Sequence, residues 1–244
     1  MERTEALKSG IFCILLIVLP IFLCPAQDEA LYDKKRHAMV ENQLKARDIT
    51  DRRVLAVMAK LPRHLFVGPA LQLEAYEDYP LPIDEGQTIS QPYIVALMTQ
   101  SLELTGKETV LEVGTGSGYQ AAVLSHLAAK VYSIEISEPL VKKASELLRR
   151  LGLTNVEVKC GDGYFGWPDK APFEAIVVTC AAKEIPEPLV DQLGEGGRLV
   201  IPVGETSEVQ TLTLVRKIKG KPRIEQITMV RFVPMTGENM KKKK

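Results

Sequence analysis

Cysteine, histidine and net charge are all scarce in this 244-residue chain, and each scarcity excludes something. Of the four cysteines, Cys13 and Cys24 fall in an apolar N-terminal stretch, which leaves Cys160 and Cys180 for the remainder. No Cys-x-x-Cys pair occurs, and His37, His64 and His126 are scattered, so no zinc site is expected. A chain of this length buries enough apolar surface to need neither disulfide nor metal. Cys160 and Cys180 each end a predicted strand and read as small buried hydrophobes. Charge of one sign is missing too: Lys+Arg and Asp+Glu stand at 31 each. That balance argues against nucleic acid as a partner. The single basic run, 241–244, reads as a solvated tail. Internal repeats and low-complexity linkers are absent. With 45% hydrophobic and 25% charged residues, the composition is that of a soluble globular protein.

Long hydrophobic runs are missing as well, with one exception at 11–23, interrupted by Pro20. It falls short of the ~20 residues that a membrane span needs. It looks like the core of a signal peptide, with Cys24-Pro25-Ala26 as a small-residue cleavage site, although Glu2 and Glu5 offset Arg3 and Lys8 ahead of it. A cytoplasmic location is the expectation, with export or anchoring through this segment as the alternative; a start of translation at Met39 would remove the segment altogether. Any membrane contact is left to residues 11–23. The chain divides into an apolar extension (1–30), one domain (31–237) and the basic tail (238–244).

Within the domain, two short helices are expected over 33–61, the second started by Thr50-Asp51. An irregular stretch, 65–82, leads to Gly86-Gln87-Thr88-Ile89-Ser90-Gln91-Pro92 and a helix to about Leu104. From Thr109 the chain alternates. Strands are expected at 109–113, 130–135, 156–159, 175–179 and 197–202, with helices at about 118–127, 139–151 and 188–193. Two β segments, 209–217 and 225–233, close the chain around a turn near Gly220-Lys221-Pro222. The pattern implies a doubly wound, Rossmann-like α/β fold whose sheet is mostly parallel with an antiparallel C-terminal edge pair.

The first strand–loop–helix unit carries Gly114, Gly116 and Gly118, small residues where backbone must approach a ligand and turn into a helix. A dinucleotide site wants G-x-G-x-x-G, and here Tyr119 takes the third glycine's place. The spacing is G-x-G-x-G behind an acidic Glu112, which suits S-adenosylmethionine, a cofactor without phosphate. Glu112, at the strand end, is expected to meet the cofactor's amino-acid part directly or through water. Glu135, 21 positions after Gly114, matches the acidic residue that binds a ribose diol. Asp162, in the turn after the third strand, could accept from the adenine amino group. Each residue also has a bland reading as turn or solvated side chain, but three strand ends facing one crevice are more specific together. Ser90 reads first as an N-cap, with Pro92 in the first turn of the helix. A helix N-terminus is also an anion site, and the two roles can coexist.

These residues resemble a family. The run 86–92 looks like the signature of protein-L-isoaspartate O-methyltransferases, and so do 111–119, Gly161-Asp162-Gly163, 171–176, 192–204 and Arg231-Phe232-Val233-Pro234-Met235. The resemblance covers about Met39 to Gly237. It implies methylation of the α-carboxylate of L-isoaspartyl residues in damaged proteins and peptides, with S-adenosyl-L-methionine as donor. It also implies Ser90 as the active-site residue. Cofactor positions would be Thr88, Ile89, Gln91, Glu112, Gly114, Gly116, Glu135, Ile136, Asp162, Gly163 and Thr236, with no metal. The nucleophile would be a carboxylate, already ionised at neutral pH, so no general base is required. The rivals are a class I methyltransferase with a small-molecule acceptor and an exported, non-catalytic binding module.

Overall fold

The computed structural model describes residues 25–205 and 207–237, with side chains from residue 29 onward. The apolar segment 11–23 and the basic tail therefore lie outside the described residues. Helix α1 (Pro25–Met39) begins ahead of the expected helical pattern and runs on as a π-helical turn over Val40–Lys45. Helix α2 (Arg52–Met58) starts where Thr50-Asp51 predicts, because Asp51 Oδ1 accepts from the backbone N–H groups of Arg53 at 2.8 Å and Val54 at 3.4 Å. The irregular stretch contains short 3₁₀ turns and ends in a small hairpin. In it, β1 (Leu81–Pro82) pairs antiparallel with β2 (Thr88–Ile89). Two residues per strand are too few to leave an alternating pattern.

After α3 (Pro92–Ser101) come β3 (Thr109–Val113), α4 (Tyr119–Ser125), β4 (Lys130–Glu135), α5 (Glu138–Arg150) and β5 (Val156–Cys160). They are followed by β6 (Phe173–Val178), α6 (Glu187–Asp191), β7 (Leu193–Val203), β8 (Gln210–Ile218) and β9 (Lys221–Val230). The large sheet has the order β5-β4-β3-β6-β7-β8-β9. Pairing is parallel from β5 through β7 and antiparallel for β8 and β9. The doubly wound α/β expectation is met, including the antiparallel edge pair. The chain steps outward from β3 to β5, then returns to lay β6 on the other side of β3. Crevices for ligands open at that reversal, beyond the carboxyl ends of the strands.

Strand alternation feeds two cores. Val110, Val131, Ala175, Val177 and Val200 face the layer holding α2 to α4. Leu111, Val113, Ile176, Val178 and Ile201 face Trp167, Phe173 and Leu189 on the other side. Helix α5 joins the first core through Leu147 and Leu148, and Leu140 and Ala144 continue that buried stripe at helical spacing.

Two expectations need correction. The C-terminal hairpin turns at Lys219-Gly220, and β9 starts four residues earlier than expected. Lys219 (φ 53°) and Gly220 (φ 71°) are both left-handed, as a tight two-residue turn requires, and the Glu195 carboxylate accepts from both N–H groups, at 2.5 and 2.9 Å. Pro222 is tolerated because β9 is an edge strand. Cys160 is exposed, not buried, because β5 is the opposite edge of the sheet, and Cys180 is half-buried at a strand end.

A polar knot lies inside the sheet beneath the β3–α4 loop. Glu112 is fully buried and accepts from Ser133 Oγ, which in turn is 2.5 Å from Thr115 Oγ1. The other carboxyl oxygen of Glu112 has no hydrogen-bond partner. Burial, which disfavours the charged form, pushes this carboxyl up to about 8 from the ordinary 4.5. At neutral pH the folded protein therefore holds a proton that the unfolded chain has lost. The associated stability is full below 4.5 and declines as pH rises toward 8. Replacing Glu112 with Gln keeps the shape and removes the titration. Denaturant melts from pH 5 to pH 9 should show wild type losing stability relative to Glu112→Gln as pH rises. Parallel curves would show that Glu112 is already ionised when buried.

Candidate active site

The loop from β3 into α4 is built by close backbone approach. Gly114 has φ +96°, and a Cβ there would overlap Thr179 Oγ1. That hydroxyl, just beyond the end of β6, donates to the carbonyls of Gly114 at 2.6 Å and Val113 at 3.1 Å. On its other flank the loop hangs from β4, with the Gly114 N–H donating to the Ile134 carbonyl at 2.8 Å. The first glycine is thus seated between two strands from different halves of the sheet.

Glu135 ends β4 and is 7% exposed. Its Oε2 accepts from the Gly116 N–H at 2.9 Å and its Oε1 from the Ser137 N–H at 2.9 Å. It therefore ties the loop after β3 to the loop after β4, and each oxygen keeps lone-pair capacity for a ligand hydroxyl. Beside it lies a crevice of about 180 Å³ that brings together Gly114, Glu135, Ile136, Gly163 and Thr236. Ile136 presents an exposed apolar side chain. Gly163 packs so tightly on Val113 that a Cβ would overlap it. Asp162 caps the short turn after β5 by accepting from Tyr164 N–H at 3.0 Å and lies against Gly237. The group fits S-adenosylmethionine: a backbone cradle without side chains, an acidic strand end for a diol, and a flat apolar wall.

Glu112 differs from the expectation. With no exposed surface it touches neither cavity, and it supports the loop from beneath. Ile89 is also buried, at 3% exposure, and packs in the main core beside its β1 partner Leu81. Gly116 does not line the crevice either: it borders a separate hollow of about 250 Å³ with Ile83 and Leu140, and its N–H donates to Glu135.

Thr88, Ser90 and Gln91 meet in a second, larger cavity of about 360 Å³, bordered by Thr179 and Arg231. Thr179 lines this cavity and holds Gly114 of the crevice, so the two hollows adjoin. The capping reading of Ser90 is overturned. The N-cap of α3 is Gln91, and no side chain caps it. Pro92 takes the first helical position, where the N–H it lacks would have had no partner within the helix. The Ser90 hydroxyl is left without a partner among the described residues, at the wall of the larger cavity. Its backbone carbonyl accepts from the buried Arg63 Nη2 at 2.7 Å.

Sequence reasoning missed Thr179, Gln87 and Arg63. Thr179 carried a usable signal, since it ends the strand that returns beside β3. Gln87 lines the crevice through the β1–β2 hairpin, and Arg63 reaches Ser90 across 27 positions; neither contact leaves a local pattern. Cys180 also borders the crevice, and burial pushes its thiol up to about 12, so it is no nucleophile.

A family model described as protein-L-isoaspartate(D-aspartate) O-methyltransferase matches residues 34–240. A protein-L-isoaspartate O-methyltransferase 2 of Shewanella sediminis is 57% identical over 217 residues, covering 89% of each chain. A protein-L-isoaspartate O-methyltransferase of Opitutus terrae is 52% identical, covering 91% of this chain and 97% of its own. The solved structure of a Plasmodium falciparum protein described as such a methyltransferase, in complex with S-adenosyl-L-homocysteine, superposes with a TM-score of 0.72. It is 28% identical and covers 82% of this chain and 98% of that one. Over most of its length, then, the chain that builds this crevice and the adjoining Ser90 cavity belongs to the protein-L-isoaspartate(D-aspartate) O-methyltransferase family.

Proposed function

We propose that this protein methylates the free α-carboxylate of L-isoaspartyl residues in damaged proteins and peptides, with S-adenosylmethionine as methyl donor. The observation that carries the reading is the adjacency of two hollows. One is a cradle without side chains beside an acidic strand end, and the other has an uncapped serine hydroxyl at its wall; Thr179 lines one and pins the first glycine of the other.

The cofactor supplies a methyl group already activated on a sulfonium. Glu135 and the backbone of Gly114 and Gly163 would hold it, with Ile136 offering an apolar wall and Asp162 and Thr236 at the rim. Thr88 and Gln91 line the acceptor cavity. The reacting carboxylate has a reference pKa of about 3.3–4.3, so it arrives ionised and needs no base. What remains for the protein is orientation and exclusion of water, worth roughly 7–11 kcal/mol when the geometry is right. Ser90 donates a hydrogen bond to one carboxylate oxygen and leaves the other free to attack. In the ester the following backbone amide nitrogen attacks the carbonyl carbon, gives up its proton and expels methanol, and hydrolysis of the resulting succinimide can yield ordinary aspartate.

The protein works in the cytoplasm, where its methyl donor is made. Among the described residues no helix is long and apolar enough to cross a membrane.

Labelled S-adenosylmethionine with matched isoaspartyl and aspartyl peptides tests the reading: base-labile methyl should appear on the isoaspartyl peptide alone, and equal labelling of both would overturn it. Ser90→Ala should lower kcat/KM for the isoaspartyl peptide roughly 10- to 100-fold, the equivalent of a charged hydrogen bond of about 1.5–3 kcal/mol. Full activity would remove Ser90 from the site. Glu135→Ala should weaken cofactor binding by calorimetry, and unchanged affinity would sink its assignment to the ribose.

A further inference from the structure

Arg63 is the largest fully buried side chain in the molecule's described part. Among the described residues no carboxylate faces it at ion-pairing distance. Its Nε donates to the Ala75 carbonyl at 2.6 Å, and its Nη2 to the Ser90 carbonyl at 2.7 Å. The guanidinium carbon lies 4.6 Å from the ring centroid of Tyr119, the first residue of α4 and the one after Gly118. Nη1 has no hydrogen-bond partner. Burial lowers its pKa to about 10, so it remains charged at neutral pH. An unpaired buried cation is costly, and a neutral side chain of similar size would fill the space at less cost. Its position explains what it does. The fork and the ring hold three otherwise separate pieces together: the loop at Ala75, the acceptor loop at Ser90, and the helix that leaves the glycine loop.

We infer that Arg63 is a positioning residue that registers the acceptor loop against the cofactor loop, by gripping the Ser90 carbonyl while resting on Tyr119. With the carbonyl held and no cap bond competing, the Ser90 hydroxyl stays directed to the acceptor. A lysine cannot replace it, because one ammonium on a flexible stem does not span two carbonyls in a fixed fork. The inference rests on the isoaspartyl reading. Turnover of an isoaspartyl peptide by wild type, run in the same assay, separates failure of that reading from failure of this one.

The test is a double-mutant cycle with Arg63→Lys and Ser90→Ala, on protein whose fold is checked by circular dichroism. Arg63→Lys should lower kcat for the isoaspartyl peptide about 10- to 100-fold, as loss of orientation does. Affinity for S-adenosylhomocysteine should stay within about twofold. The double variant should be no worse than Ser90→Ala alone, because Arg63 acts through Ser90. Multiplicative losses, or cofactor affinity falling in step with kcat, would reduce Arg63 to a general packing role and overturn the inference. Undiminished kcat in Arg63→Lys would do the same. If the Arg63 variants do not fold, Tyr119→Leu removes the ring on which the guanidinium rests. It should again cost kcat in the Ser90 background-dependent manner, and unchanged kcat or multiplicative losses would refute the coupling.

Discussion

One threonine hydroxyl, sharing its single proton between two carbonyls, organises this loop. Thr179 Oγ1 donates to the carbonyls of Gly114 and Val113 at the point where the sheet reverses its winding. The bond is available only because residue 114 has no Cβ, and φ +96° turns its carbonyl toward β6. Once the loop is pinned there, Gly116 falls within reach of Glu135, and Gly118 turns the chain into α4. The crevice beside Glu135 and the cavity at Ser90 then share a border, as methyl transfer between two bound groups requires.

Around that anchor the protein buries charge-bearing groups in two ways. Glu112 is kept neutral under the loop by burial, with Ser133 and Thr115 satisfying one side of it. Arg63 keeps its charge and spends its donors on backbone carbonyls. Both are expensive placements in a low-dielectric interior, and both act on loops that border the ligand hollows. The Ser90 hydroxyl, half-buried at the wall of the larger cavity, is by contrast left without a hydrogen-bond partner among the described residues.

Much of the fold was legible because its periodicities are long and clean. Five parallel strands show as short apolar runs alternating with helical segments, and Glu135 was marked by its spacing to the G-x-G-x-G loop. Where the pattern was short or ambiguous, it misled. The β1–β2 hairpin has two residues per strand, so nothing in the sequence marked Gln87 as a neighbour of Glu135. Ser-Gln-Pro before an apolar helix has the composition of a cap, yet the cap position falls one residue later. Cys160 ends a strand that turned out to be an edge, which left it exposed.

The sequence by itself determined the fold class, the glycine loop and the acidic residue that meets it, because each depends on spacing within a few tens of residues. Family membership was also readable there, from the 86–92 run and the glycine loop together. Only the tertiary structure decided that Glu112 is fully buried under the loop, that Ser90 caps no helix, and that Thr179 borders one hollow while pinning the glycine loop of the other. Those facts depend on contacts between residues as far apart as Gly114 and Thr179, which are set by strand order and packing and leave no trace in local sequence.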